Sequence, residues 1–525
     1  MTQTTIINHI LSTFEANHDR VFLIEQMTNR EWSYGLFYDW SKKAATLLKK
    51  QGVNKGDHVA ILLANSAEFA AMYFGCLFLG AVAVPVNQAL HPEDIQYILE
   101  HSRVKLVVFS RCTRPLVLQA TEKIASLRQV LIVLGQETSF HPEDEEESWS
   151  YDHADNDNNF IPLQGVTDDS TLLILFTSGT TGRPKGVVHS VRSEFSNAIA
   201  FNEVMQFGPE NRFLHIWPMA YSTGYLNTLI SPFMAAGSVV LSCAFTAQTI
   251  LAFWNPVREY NVNTVWLSPT MIAALLRLDR DQVGINYCRN HIKTVCVGTA
   301  PLALKLKQDF EKKYGIECLE SYGLSELLII STNLISKTRR INSVGGLLEG
   351  VEFTTSDENG NVLLTGQEGE ILIRTPYAML GYQNAETGAI DINNPSEWFQ
   401  TGDIGYIDLE GNVFITGRKK DIIIRGGQNI STRSIHDCLL LHQSVEDSVV
   451  VGIPHDFYGE EVATAIKLKT GLFLEDEQSS ILEHCRKHLA QSAVPSKFIQ
   501  VDEFPMGSTG KILNNEVRKL FLNKT

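Results

Sequence analysis

Apolar residues fall in short dense blocks along the first third of the chain. Val59-Ala60-Ile61-Leu62-Leu63, Ala81-Val82-Ala83-Val84-Pro85, Leu106-Val107-Val108-Phe109, Gln129-Val130-Leu131-Ile132-Val133 and Leu172-Leu173-Ile174-Leu175-Phe176 show almost no polar alternation. Strands of that kind are buried on both faces, as in parallel sheets. Between them, Tyr38 to Gln51 and Ala67 to Phe78 carry helical periodicity. The alternation predicts an α/β fold in which helices cover parallel-rich sheets. Phe69 to Val86 is the most apolar stretch, but Gly75, Gly80 and Pro85 interrupt it and Glu68 and Asn87 bracket it. It reads as a buried helix followed by a strand, and no integral membrane segment is expected.

The pattern changes near residue 345. Gly369-Glu370-Ile371-Leu372-Ile373-Arg374 and Asn412-Val413-Phe414-Ile415-Thr416 lie between Gly and Asp/Asn turns. They predict a small antiparallel β subdomain. After Gly417-Arg418-Lys419-Lys420-Asp421, the blocks Ile422-Ile423-Ile424 and Ser448-Val449-Val450-Val451 alternate with helices, the last near Ser479 to Leu489. That predicts a separate small α/β domain of about one hundred residues. The expected division is a large domain over 1–417 and a small, mobile C-terminal domain over 418–525.

Length and charge narrow the function. A chain of 525 residues exceeds one hydrophobic core. Apolar content of 44% and charged content of 20% are ordinary for a globular enzyme. The net charge of −15 argues against a nucleic-acid partner. Eight scattered cysteines without a CxxC pair predict neither a disulfide framework nor a zinc site. With no signal-peptide pattern at the N-terminus, a cytoplasmic setting is expected. The acidic, Asn-rich residues 141–159 read as a solvated loop between subdomains, with a partner-binding segment as the alternative.

The candidate chemistry begins directly after the fifth apolar block. Thr177-Ser178-Gly179-Thr180-Thr181-Gly182-Arg183-Pro184-Lys185-Gly186 sets four hydroxyls, three glycines and a lysine within ten positions. Glycine permits close backbone approach, and hydroxyls with clustered N–H groups form anion-binding nests. A Gly/Thr-rich surface turn has the same composition. It is not a Walker A loop, because Pro184 precedes the lysine and Gly186 follows it.

This string closely resembles the phosphate loop of the adenylate-forming (AMP-binding) superfamily of acyl-CoA synthetases, peptide-synthetase adenylation domains and luciferases. Five further segments resemble that superfamily in the right order. Ser321-Tyr322-Gly323-Leu324-Ser325-Glu326 resembles its Tyr-Gly-x-Thr-Glu motif, with Ser325 in place of threonine. Gly298-Thr299-Ala300-Pro301-Leu302 resembles Gly-Gly-Ala-Pro-Leu, with Thr299 replacing the second glycine. Thr401-Gly402-Asp403, Gly417-Arg418-Lys419-Lys420-Asp421 with the following Gly426-Gly427, and Gly507-Ser508-Thr509-Gly510-Lys511-Ile512 complete the set.

The resemblance implies a role for each segment. ATP would be held by Thr177, Ser178, Gly179, Thr180, Thr181, Gly182 and Lys185, by Gly298, Thr299, Ala300 and Pro301 along the adenine, and by Tyr322 and Gly323. Asp403 would accept both ribose hydroxyls, and Arg418 would reach ribose or phosphate. Ser325 would reach the α-phosphate, Glu326 would hold Mg²⁺, and Lys511 would be the catalytic lysine. The small domain would swing about Lys420, and Gly426 with Gly427 would edge the thiol tunnel. Gln428, Thr432 and His436 depart from the family's usual Glu, Pro and Glu around that tunnel. The acyl pocket would be lined by Tyr221, Ser222, Thr223, Gly298, Leu324 and Leu327. Tyr221 stands where many relatives have histidine, and it suits an aryl, medium-chain or hydroxylated acid, although a core tyrosine is equally compatible.

These residue types match one reaction. A carboxylate must attack the α-phosphate of ATP, and both are anionic. Two like charges about 4 Å apart cost on the order of 4 kcal/mol at an intermediate dielectric. A lysine between them offsets that repulsion, and Mg²⁺ neutralises departing pyrophosphate. The expected function is therefore ATP- and Mg²⁺-dependent activation of a carboxylic acid, then transfer to a thiol, with coenzyme A as acceptor. The rival acceptor is a carrier protein's phosphopantetheine arm. A non-catalytic nucleotide-binding protein is the alternative of another class.

Overall fold

The computed structural model describes residues 5–122, 124, 127–132, 148–149, 160–177, 184–246, 248–280, 282–334, 339–384, 386–426, 428–506 and 512–522. The chain belongs to the α/β class, as the blocks predict.

Two nine-stranded sheets form the large part. The parallel core of one contains Val82–Pro85, His58–Leu62, Leu106–Phe109 and Arg128–Ile132. The other runs parallel through Ser238–Leu241, Arg212–His215, Thr264–Leu267, Thr294–Val297 and Cys318–Leu324. One continuous apolar core joins both sheets. At its centre lies the helix Ala67–Leu79, buried at twelve of its positions and capped by the Ser66 side chain, with Gly80 in the left-handed conformation as its stop. A helix with no polar face must be enclosed. Gly75 lets it pack on the helix Tyr34–Lys50, because a Cβ there would come within 2.7 Å of Ala44 Cβ.

The block Leu172–Phe176 turns out to be one arm of an antiparallel hairpin. Thr171–Thr177 pairs with Lys185–Ser190, and Thr177 lies opposite Lys185. The antiparallel β subdomain is present as Glu352–Ser356, Gly369–Arg374, Phe399–Ile407 and Val413–Arg418. A five-stranded sheet then begins at Ile423, with the long hairpin Val445–His455 and Gly459–Leu468 at its heart. Two small apolar cores flank it, one under the helices Thr432–Leu440 and Leu474–His488 and one under Asn514–Leu522. The helix expected from Ser479 starts earlier, because Glu475, Asp476 and Glu477 suit the positive end of its dipole. Residues 141–147 and 150–159 of the acidic stretch lie outside the described residues.

Candidate active site

The carboxyl ends of parallel strands are where open α/β sheets bind ligands; Gly298 directly follows one such strand, Thr294–Val297, and Tyr322 lies near the end of its neighbour, Cys318–Leu324. Asp403 and Arg418 are opposed in register across the two antiparallel strands Phe399–Ile407 and Val413–Arg418. The Asp403 carboxylate is 3% exposed, and Arg418 Nε donates to its Oδ1 at 2.9 Å. Tyr322 donates its hydroxyl to Oδ2 at 2.7 Å. Thr401 Oγ1 accepts the Asp403 N–H at 3.1 Å and so fixes the turn. Burial raises the Asp403 carboxyl above the usual aspartate range, with Arg418 opposing the shift. Each carboxylate oxygen has a second lone pair with which to accept a further donor.

The phosphate side is built differently. Ser178, Gly179, Thr180, Thr181 and Gly182 lie outside the described residues, but Thr177 and Lys185 at the base of their loop are paired. The Lys185 ammonium stands 5.2 Å from the centre of the Tyr382 ring. Tyr382 donates its hydroxyl to Glu326 Oε1 at 2.8 Å. Burial, then the neighbouring Glu326 charge, holds the Tyr382 phenol well above its ordinary range. Lysine, tyrosine and glutamate thus form one line.

The turn that carries Glu326 is clamped from two sides. His189 Nε2 bonds the Ser325 carbonyl at 2.7 Å, and Met379 N donates to the Glu326 carbonyl at 2.8 Å. Burial lowers His189 to about 4, so the ring is neutral at pH 7. Gly323 is required by a close approach: a Cβ there would lie 2.2 Å from the Leu328 carbonyl oxygen. Among the described residues no group of three His, Cys, Asp or Glu side chains could cage a metal alone. With Tyr382 on Oε1, Glu326 is a single carboxylate of the kind that, together with the phosphates of a nucleotide, would hold Mg²⁺, a cation that prefers oxygen.

In the segment expected to run along the adenine, Thr299 has φ +74°. That is the conformation its glycine counterpart would adopt freely, and a β-branched residue holds it at a strain of roughly 1–2 kcal/mol. Thr299, Ala300 and Pro301 are exposed, whereas Gly298 is buried and its N–H reaches the Leu267 carbonyl at 3.3 Å.

Tyr221 is half-buried and accepts a hydrogen bond from Asn87 Nδ2. Burial raises its phenol, with the Asn87 bond opposing. Beyond it the chain forms a π-helix, Thr223–Ile230, a rare conformation frequent at functional sites. A Cβ on Gly224 would meet the Pro218 carbonyl oxygen at 2.1 Å, which explains a glycine at that bend. Ser222, Thr223 and Leu324 are half-buried beside this bend or in the Glu326 hairpin, but Leu327 is 1% exposed and belongs to the main core.

Past Arg418, the turn Lys419–Asp421 leads to the small sheet. Lys419 pairs with Glu370 of the β subdomain at 2.7 Å, and Lys420 is exposed. Gly426, at φ +57°, donates its N–H to the Tyr458 carbonyl at 2.8 Å. Gly427 and Lys511 lie outside the described residues, although Met506 and Ile512 bridge on either side of the segment that carries Lys511. Across the two parts, Arg277 pairs with Glu446 at 2.6 Å and Ser431 Oγ donates to the Thr416 carbonyl at 2.7 Å.

Tyr382, Asn87 and His189 escaped sequence reading. None lies in a recognisable motif, and each meets its partner across at least 56 residues.

Two large sheets followed by a small C-terminal domain are the architecture of the adenylate-forming ligases, and comparison with known proteins places the protein in that class. The chain belongs to the family of AMP-binding enzymes, which matches residues 12–383, and the AMP-binding enzyme C-terminal domain matches residues 434–511. It is 28% identical to a sulfoacetate–CoA ligase of Cupriavidus necator, over 94% of this chain and 93% of that one. It is 29% identical to an oxalate–CoA ligase of Arabidopsis thaliana, over 94% of each. Among solved structures, ATP-bound MatB from Rhodopseudomonas palustris superposes with a TM-score of 0.85 at 25% identity, over 98% of this chain and 99% of that one. The chain is accordingly an AMP-forming acid–thiol ligase that uses ATP, Mg²⁺ and coenzyme A. Among the described residues no helix is long and apolar enough to cross a membrane.

Proposed function

We propose that the two clusters at the sheet edge divide the ATP between them. Asp403, Tyr322 and Arg418 hold the ribose, and Gly298, Thr299, Ala300, Pro301 and Gly323 flank the adenine. Thr177 to Gly182 and Lys185 cradle the β- and γ-phosphates. Ser325 donates to the α-phosphate. Glu326 holds Mg²⁺, which supplies charge neutralisation for the leaving pyrophosphate. Lys511 is drawn between the acid and the α-phosphate, where its charge offsets their repulsion. The observation that carries this reading is the burial of Asp403 under Tyr322 and Arg418, which makes a fixed acceptor for a diol.

The acid lies along Tyr221, Ser222, Thr223 and Leu324, with Leu327 supporting that wall from the core. The polar Asn87–Tyr221 pair suits an acid that is not purely aliphatic, and the relatives named for sulfoacetate and oxalate act on small polar acids. The chain divides at 417/418, and residues 418–525 rotate about Lys420 for the second half-reaction, bringing Gly426 and Gly427 to the pantetheine. Eight free cysteines, six of them buried, support a cytoplasmic setting.

The test is acid-dependent exchange of labelled pyrophosphate into ATP across fatty, aryl and hydroxylated acids, followed by thioester formation with coenzyme A. Exchange followed by acyl-CoA supports the reading. Exchange without acyl-CoA, rescued by a phosphopantetheinylated carrier protein, would move the acceptor to the carrier. No exchange with any acid favours a non-catalytic nucleotide-binding protein.

A further inference from the structure

Trp266, on the strand Thr264–Leu267, sits beneath Gly298. The residue is 3% exposed, and its indole Nε1 is a buried atom without a hydrogen-bond partner among the described residues. A Cβ placed on Gly298 would lie 3.5 Å from Trp266 Cζ2 and 3.6 Å from Nε1. The edge of the ring that carries the N–H therefore faces the bare Cα of Gly298, beside the Ser321 carbonyl oxygen, which such a Cβ would meet at 3.4 Å. The neighbouring indole behaves differently: Trp217 Nε1 donates to the Trp266 carbonyl at 2.8 Å. Phe201 packs on the Trp266 ring with centroids 5.4 Å apart, and holds it in place.

An indole N–H is a donor only. Buried donors are almost always paired, with protein, ordered water or ligand. The segments 298–302 and 321–327, which meet at this point, contain no Lys, Arg or His, and His189, which bonds the Ser325 carbonyl, is held neutral by burial. A second anionic group would meet a donor there but no counter-charge, whereas a neutral oxygen would be met in full. The ring also occupies the volume into which a longer chain would extend below Gly298.

We infer that Trp266 determines acid specificity: its ring closes the far end of the acyl pocket, and its N–H recognises a neutral oxygen acceptor on the acid. The substrate class is then a short carboxylic acid that bears a hydroxyl, keto or ether oxygen. This rests on the reading of Gly298 as a wall of the acyl pocket.

The experiment uses the full-length enzyme and pyrophosphate exchange with acids of four to six carbons. Each hydroxy or keto acid is paired with its unsubstituted parent, and decanoate is added as the long acid. The wild type should favour at least one oxygen-bearing acid over its parent by about tenfold in kcat/KM. Trp266→Phe keeps the volume and removes the donor, so it should abolish that preference while still rejecting decanoate. Trp266→Ala should admit decanoate at least tenfold better than the wild type. A preference that survives in Trp266→Phe, or no preference in the wild type, overturns the role of the N–H and leaves it bound to water only. Should Trp266→Ala fold poorly, the phenylalanine variant alone decides the point. If no acid supports exchange in the wild type, the adenylating reading falls, and this inference with it.

Discussion

Asp403 and Arg418 are cross-strand partners and also an ion pair, so the register of one small sheet sets the geometry of the pair. The backbone pairing positions both side chains before any ligand arrives. Pre-organisation of this kind removes ordering costs from binding.

Replacing Asp403 with Asn keeps the shape and removes the charge. The KM for ATP should rise by roughly ten- to a hundredfold, on the scale of one or two charge-assisted hydrogen bonds. Isothermal titration with ATP checks this, and unchanged affinity would remove Asp403 from the ribose site. Because burial raises this carboxyl, wild-type ATP affinity should fall on acidification at a higher pH than an ordinary aspartate would give.

Tyr382→Phe keeps the ring over Lys185 and deletes the hydroxyl that Glu326 accepts. A freed Glu326 loses its orientation, so the half-saturating Mg²⁺ concentration should rise several-fold and kcat should drop by about tenfold. A Mg²⁺ titration of exchange activity reads both. Equal Mg²⁺ dependence in the two proteins would mean that Tyr382 does not position Glu326.

Lys511→Ala should slow adenylation by orders of magnitude and nearly spare ATP binding, because its proposed charge acts between the reacting groups. Single-turnover formation of acyl-adenylate separates the two effects. Wild-type exchange would refute the role.

Thr299→Gly relieves a left-handed backbone at a β-branched residue. Relief of about 1–2 kcal/mol is partly offset by about 1 kcal/mol of added unfolded-state entropy. The large domain should be unchanged or stabilised by up to about 1 kcal/mol in urea unfolding. A clear loss of stability would show that Thr299 makes interactions that outweigh the strain.

Glu194 gives the stability a pH dependence. The residue is fully buried, neither carboxyl oxygen has a hydrogen-bond partner among the described residues, and burial pushes its pKa up to about 8. The folded form holds a proton that the unfolded chain releases near pH 4.5. The contribution of this residue is therefore most favourable below about pH 4.5 and declines as pH rises from there toward 8, by up to about 1.4 kcal/mol per unit. Glu194→Gln should flatten that slope and raise Tm at pH 8. Parallel wild-type and variant curves of Tm against pH would contradict it.

Much of the architecture was legible because buried parallel strands are continuous apolar runs. Leu106–Phe109 and Ala67–Leu79 stand within a residue of their expected places. The motif residues were legible as types, since phosphate, diol and Mg²⁺ each demand distinct chemistry. What stayed hidden depends on long-range pairing. Tyr382 reaches Glu326 only because Gly381–Gln383 pairs with Lys185–Ser190. Asn87 meets Tyr221 across 134 residues. Glu194 carries no local sign of burial, because its helix looks amphipathic until tertiary packing covers both faces.

The doubly clamped turn at Ser325 and Glu326 has an engineering consequence. Its anchors, His189 and Met379, come from the hairpin and the strand connection, and Trp266 shares none of those hydrogen bonds among the described residues. If Trp266 sets the choice of acid as inferred, selectivity and reactivity rest on separate hydrogen-bonded supports, and the acid preference is open to retuning from beneath Gly298.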